Sequence, residues 1–251
     1  MNAFWQALSF LTRFPVPKRA HTLDGWEKSP RYYPLVGLFI GAFVWLVVFV
    51  AEAGFGPSAS LVVAAAGVVG WVYATGALHL DGWMDLADGL GSRRSREKTL
   101  EIMKDSRVGA MGAVAAIALL LLKVAAVSRL AETGGIALVV VIPAMARFTL
   151  LAAIRTFPYI QENGLGSGLR GGVTPTVLLV NAALLAAVAY GTAGAIALPV
   201  LGATLLAGWL FGLAIVRRLG GFTGDVYGAL IEGSETFALL AALVLMNNFA
   251  L

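Results

Sequence analysis

Thr75-Gly-Ala-Leu-His-Leu-Asp-Gly-Trp-Met-Asp-Leu-Ala-Asp-Gly-Leu90 is the stretch around which this chain is organised, and the long apolar runs on either side of it decide the fold. Its aspartates, Asp81, Asp85 and Asp88, are spaced i, i+4, i+7, which on a helix puts three carboxylates on one face. Like charges at that spacing repel, and a cation removes the conflict. Carboxylate oxygens with room left for water suit Mg²⁺, or Mn²⁺, and Mg²⁺ usually shares its coordination with substrate phosphates. The chain has no cysteine and only two histidines, so a zinc site is disfavoured. Gly82, Gly89 and Gly91 leave the backbone bare for close approach by a phosphate or nucleotide. A merely solvated acidic face fits poorly, because the flanks are strongly apolar and acids are costly near a membrane.

Of 251 residues, 59% are hydrophobic and 13% charged, and the mean hydropathy is +0.84. Soluble domains are about half apolar and about a quarter charged. The composition therefore indicates an all-α, polytopic integral membrane bundle, a single domain over 1–251. The net charge of +4 suggests positive cytoplasmic loops and no nucleic-acid partner. No cleaved signal peptide is read at the N-terminus.

Residues 1–34 read as a cytoplasmic or interfacial segment. Within it, Phe4, Trp5, Leu8, Leu11 and Phe14 predict an interfacial amphipathic helix over 2–14, ended by Pro15 and Pro17, before a basic stretch with Lys18, Arg19, Lys28 and Arg31. Seven spans of roughly 20 residues follow, at 35–53, 59–78, 108–128, 135–156, 173–190, 195–216 and 235–251. With the N-terminus in the cytoplasm, the inner loops hold the basic N-terminal segment, the 92–107 stretch, Arg155, Arg170, Arg217 and Arg218, while the outer turns hold only Arg129. That asymmetry obeys the positive-inside rule. It also puts the aspartate motif, the Gly-rich loop starting at Asn163 and the Gly220-Gly-Phe-Thr-Gly-Asp225 loop on one side, as one cytoplasmic active site in the inner membrane.

Other polar residues have alternative readings. Asp105 is a fourth metal ligand or the partner of Arg107, and Arg107 can fork onto a phosphate or anchor the membrane edge. Arg147, inside the fourth span, needs a substrate phosphate or a carboxylate. Lys123 lies nearer the outer end of its span, where snorkelling is easy. Asp225 completes a metal site, orients a hydroxyl or caps a helix. Glu232 and Glu235, at the edge of the last span, pair with Arg147 or Arg107. His79 is a general base, a phosphate partner or a structural hydrogen-bonder. The Gly164-Leu-Gly-Ser-Gly168 loop lacks the lysine and hydroxyl of a P-loop and reads better as a flexible lid.

Along nearly the whole chain the sequence resembles the cobalamin synthase (adenosylcobinamide-GDP ribazoletransferase) family. The resemblance is carried by Phe10-Leu-Thr-Arg-Phe-Pro-Val-Pro17, Pro34-Leu-Val-Gly37, His79-Leu-Asp-Gly-Trp-Met-Asp-Leu-Ala-Asp-Gly89, Glu101-Ile-Met-Lys-Asp-Ser-Arg107, Gly164-Leu-Gly166 and Gly221-Phe-Thr-Gly-Asp-Val-Tyr-Gly-Ala229, with Glu232 and Glu235. Trp83 and Met84 stand where the family commonly has smaller or aliphatic residues, and beyond Gly166 the loop matches poorly.

The resemblance implies a Mg²⁺-dependent membrane transferase that joins adenosylcobinamide-GDP to α-ribazole or its 5′-phosphate and releases GMP. It implies metal ligation by Asp81, Asp85, Asp88 and Asp105, catalytic roles for His79, Asp85, Asp88 and Arg107, and substrate contacts from Arg147, Gly164, Gly166, Asp225, Glu232 and Glu235. The base stays open between His79 and the aspartates. Membrane lipid is the remaining partner, with the hydrophobic flank retaining the bulky corrinoid. A lipid-directed CDP-alcohol phosphotransferase performs a similar displacement, but its fuller motif is absent. A transporter would carry its acids near the bilayer midplane, whereas these acids cluster with basic residues at the cytoplasmic edge.

Overall fold

In a computed structural model, residues 2–18, 25–162 and 164–249 are described. Arg19, Asn163 and the last two residues of the seventh span lie outside them. Apart from one bridge between Tyr159 and Phe222, the described residues form helices and loops. The helices are α1 (Asn2–Leu11), α2 (Tyr33–Phe55), α3 (Ser60–Thr75), α4 (Leu78–Gly91), α5 (Arg96–Ile102), α6 (Ala110–Glu132), α7 (Leu138–Thr156), the single turn α8 (Leu169–Gly172), α9 (Pro175–Ala193), α10 (Ala197–Leu219) and α11 (Gly224–Phe249). Seven of them, α2, α3, α6, α7, α9, α10 and α11, are long and apolar enough to cross a membrane, which makes this a multi-pass helical bundle.

Helix α7 runs through the middle and is buried along most of its length, while α9 lies at the periphery. Lipid tails are as apolar as leucine, so helices here associate by close packing at small residues. At the crossing of α2 and α7, a Cβ on Gly37 would stand 2.6 Å from the Pro143 carbonyl oxygen. The apolar faces of α2, α3, α6 and α9 turn outward, with Phe49, Leu61, Leu121 and Leu179 all more than half exposed, as a lipid-facing surface should be.

Two expectations are corrected. The seventh span begins at Gly224, not at 235, because Thr223 accepts from the Val226 amide and starts the helix there. Glu232 and Glu235 therefore sit inside the span and not at its edge. The N-terminal helix stops at Leu11: the Thr12 hydroxyl turns back onto the Leu8 carbonyl at 2.6 Å, and the Arg13 amide leaves to bond Ala74 O at 2.8 Å.

Helix α4 is not a span. Gly76 and Ala77 both take left-handed conformations, φ 60° and 59°, and break the chain sharply between α3 and α4. For alanine that conformation costs about 1–2 kcal/mol, which the packing of α4 must offset. The packing is close: a Cβ on Gly82 would stand 2.5 Å from the backbone oxygen of Asp225, and one on Gly228 3.2 Å from His79 Cα. Glycine at 82 and 228 is what lets α4 and α11 touch backbone to backbone.

The three unusual loops do meet at one end of the bundle. The Ile160 amide donates to Phe222 O at 2.9 Å and the Phe222 amide to Pro158 O at 2.8 Å. Arg96 donates to Leu219 O at 2.6 Å, which ties the basic stretch to the C-terminus of α10. Trp26 donates to Leu165 O at 2.8 Å, so the N-terminal segment holds the Gly-rich loop.

Candidate active site

The aspartates of α4 share a face but do different work. Asp88 turns toward α6, where its Oδ2 accepts from the Gly109 amide at 2.8 Å and its Oδ1 from the Gly112 amide at 2.7 Å. A carboxylate there satisfies two orphan amides of the first turn and complements the positive helix end. Asp81 is exposed and Asp85 partly buried. Asp225, in the first turn of α11, joins them through the Gly82 contact. Burial, then the charges of Asp81, Asp225 and Asp88, push the Asp85 carboxyl up to about 7. Asp85 thus sits in an acidic cluster with Asp81, Asp225 and Asp88. Among the described residues, no group of three His, Asp or Glu side chains is arranged to hold a metal ion by itself.

Asp105 and Arg107 stand apart in an exposed turn. Arg107 forks onto Asp105, Nε to Oδ1 at 3.0 Å and Nη2 to Oδ2 at 2.6 Å, with 86% of the Arg107 side chain exposed. The fork holds the Asp105 carboxyl down at about 2. Of the two readings open for Asp105, the structure displays the pairing with Arg107.

Inside the bundle lies an ionic cluster. Lys123 on α6 donates to Glu232 at 2.5 Å and Glu235 at 2.6 Å, and stands 4.6 Å over the ring of Trp71. Arg147 on α7 donates to the other oxygen of Glu235 and to Pro143 O, and its Nη2 donates to His79 Nδ1 at 3.3 Å. Lys123 does not snorkel: only 2% of it is exposed. Two cations face two carboxylates, which is the condition under which charge is tolerated in a bilayer. The cluster ends at His79, whose ring burial and the neighbouring guanidinium push down to about 3.

Two cavities open beside α4. One, of about 230 Å³, is lined by His79, Asp81, Gly164, Gly166, Asp225 and the aromatic rings of Phe10, Tyr33, Tyr159 and Tyr227. Tyr159 and Tyr227 stack at 5.5 Å, and Gly164 and Gly166 lie against Tyr159, where a Cβ would strike the ring. The second cavity, of about 480 Å³, is polar and lined by Arg96, Lys104, Gln161, Glu162, Gly164, Thr223 and Asp225. The two share Gln161, Gly164 and Asp225. Of these residues, Tyr159 and Gln161 carried no sequence signal. Tyr227 lay unremarked in the Gly221–Ala229 motif, and Arg96 and Lys104 were legible only as part of a basic stretch.

The fold and site define a multi-pass helical membrane protein in which an aromatic-lined pocket and a cleft of mixed charge meet at a carboxylate. A model of the cobalamin-5-phosphate synthase family matches residues 3–243, and the chain belongs to that family. It is 44% identical to the adenosylcobinamide-GDP ribazoletransferase of Brevibacillus brevis over 96% of this chain and 97% of that protein. It is 40% identical to the protein of the same name from Desulfitobacterium hafniense, over 98% of both chains, and 40% identical to that of Escherichia coli, over 96% of this chain and 98% of the relative. No solved structure matches the chain.

Proposed function

We propose that this protein joins adenosylcobinamide-GDP to α-ribazole or its 5′-phosphate, releasing GMP, at the cytoplasmic face of the bacterial inner membrane. One observation supports the placement of the reaction: an aromatic pocket and a polar cleft that carries Arg96 and Lys104 meet at Asp225, beside Asp81 and Asp85. Near-full-length similarity to ribazoletransferases supports the substrates, and the positive-inside charge pattern supports the orientation.

In this reading the polar cleft takes the diphosphate and guanosine of the activated corrinoid, with Arg96 and Lys104 supplying fixed positive charge. The aromatic pocket takes the flat base of ribazole against the rings that line it, Phe10 and the stacked pair of Tyr159 and Tyr227. The ribazole 3′-hydroxyl then reaches the phosphorus nearest the corrinoid. A new P–O bond forms, the bond to the GMP phosphate breaks, and a nearby carboxylate accepts the hydroxyl proton. Such a displacement depends mainly on alignment and charge neutralisation. The exposed Asp81 and the crowded Asp85 and Asp225 fit Mg²⁺ or Mn²⁺ held by one or two carboxylates and shared with the diphosphate. When bound, the metal would neutralise charge on the diphosphate and the departing GMP. Asp88 would support this site from behind by fixing α4 against α6.

The test is GMP release by purified protein from adenosylcobinamide-GDP and α-ribazole 5′-phosphate, with Mg²⁺ or EDTA, for wild type and Asp85→Asn. Release that EDTA and the substitution each abolish, in folded protein, supports the reading. No release by the wild type in any divalent metal refutes it.

A further inference from the structure

His79 is the joint between the buried ionic cluster and the cavity. It is 3% exposed, lines the aromatic pocket with Asp81 and Asp225, and packs against Gly228 of α11. Its Nδ1 lies 3.3 Å from Arg147 Nη2. A guanidinium has five donors and no acceptor, so Nδ1 presents its lone pair. Arg147 is held in that orientation by Glu235 and Pro143 O, and Glu235 by Lys123. In a neutral imidazole one nitrogen donates and the other accepts. The ring proton is therefore on Nε2, which is buried and has no hydrogen-bond partner among the described residues. A buried donor without a partner is rare, and the pocket that His79 lines is the place from which a partner can come.

We propose that His79 serves the reaction as a hydrogen-bond donor through Nε2 and not as its base, and that Arg147 is the positioning residue that imposes this tautomer. Its Nδ1 lone pair is occupied and its Nε2 lone pair carries the proton, so the ring has no free acceptor for a hydroxyl proton. The acceptor it faces is an anionic oxygen of the substrate at the mouth the aromatic pocket shares with the cleft, where Asp225 lines both. The proton of the attacking hydroxyl then goes to a carboxylate. The identity of that oxygen rests on the function proposed above; the tautomer does not.

Two experiments test this. The chain contains only His21 and His79, so imidazole ¹⁵N spectra of His21→Gln protein report His79 alone. The neutral Nε2–H tautomer is expected in wild-type background and its loss in Arg147→Met. An Nδ1–H tautomer or an imidazolium at neutral pH overturns the proposal, even where no substrate is turned over. The second experiment is GMP release by His79→Gln, His79→Asn and His79→Ala. The Gln amide nitrogen replaces Nε2, whereas the Asn amide falls at Nδ1. His79→Ala is expected to lose about 10²–10³ in kcat, His79→Asn to lose as much, and His79→Gln to stay within about tenfold of wild type. Gln as inactive as Ala in folded protein, or Ala as active as wild type, refutes the donor role. Absence of GMP release by the wild type would instead refute the proposed function and leave the tautomer measurement standing.

Discussion

Replacing Lys123 by Met tests the interior of the bundle. The lysine carries the only salt bridge that Glu232 makes among the described residues and one of the two made by Glu235. With Lys123, Arg147, Glu232 and Glu235 all charged, the cluster is neutral; Lys123→Met leaves it one negative charge in excess. Breaking a buried pair by removing one partner costs about 3–5 kcal/mol. The contact over Trp71 adds about 0.5–2 kcal/mol. For a chain of this size about 1 kcal/mol moves Tm by roughly 2–4 °C, so Lys123→Met is expected to unfold about 7–28 °C below wild type in detergent. Adding Glu232→Gln restores neutrality. The double variant is expected to recover part of the loss, with a coupling of about 1–3 kcal/mol. Thermal unfolding followed by tryptophan fluorescence measures both. A Lys123→Met protein melting within about 2 °C of wild type would mean that the lysine snorkels, and the clustered arrangement would be wrong.

Other perturbations separate roles that the sequence left together. Asp85→Asn is expected to abolish GMP release while the fold persists, whereas Asp88→Ala, which strips two amides of α6 of their acceptor, is expected to cost about 1–3 kcal/mol of stability, read by thermal unfolding. The pH dependence follows from Asp85. Its carboxyl lies near 7 against an ordinary 3.8, so the native state binds the proton more tightly than the unfolded chain. Stability is then highest below about pH 4 and falls as pH rises toward 7. Asp85→Asn should flatten that part of a Tm-against-pH curve measured without divalent metal, and Mg²⁺ should raise Tm of the wild type more than of the variant. Gly82→Ala drives a methyl into the Asp225 backbone and is expected to cost about 1–3 kcal/mol together with activity, while Gly202→Ala, with nothing within 4 Å, is expected to be neutral or slightly stabilising in the same unfolding assay.

Much of the fold was legible because a span announces itself by length and apolarity, which a bilayer imposes on each segment separately. All seven expected spans have a helix, and six of them start within three residues of the expected position. The seventh was started too late because Asp225 was read as closing a loop and Glu232 and Glu235 as standing at the edge of the span. Glu232 and Glu235 are tolerated there by cations on α6 and α7, about a hundred residues away along the chain. Nothing local to residues 224–235 encodes that compensation. The same distance hid the aromatic pocket: Tyr159 precedes the Gly-rich loop, Tyr227 follows the Thr223 cap, and only the paired backbone of Pro158–Ile160 with Phe222 brings their rings together.

The site was legible as a list of residues and not as a division of labour. Spacing alone puts Asp81, Asp85 and Asp88 on one face, but the amides of Gly109 and Gly112 take Asp88 for the fold and leave the acidic edge to Asp81, Asp85 and Asp225. Arg147 was read as needing a substrate phosphate or a carboxylate, and Glu232 and Glu235 as partners of Arg147 or Arg107, with substrate contacts implied by the resemblance; of these readings the Arg147–Glu235 pair is the one the structure displays. In the structure they satisfy one another with Lys123, and only His79 connects them to the cavity. That arrangement has a physical consequence for catalysis. A neutral cluster locked between three helices cannot rotate to follow a substrate, so the ring it orients is fixed before the substrate arrives. A fixed donor needs no reorganisation when charge builds on a phosphoryl oxygen, which is the condition under which one hydrogen bond is worth most in a transition state. The bilayer sharpens the effect, since a misplaced charge in the cluster would find no water to replace the partner it lost.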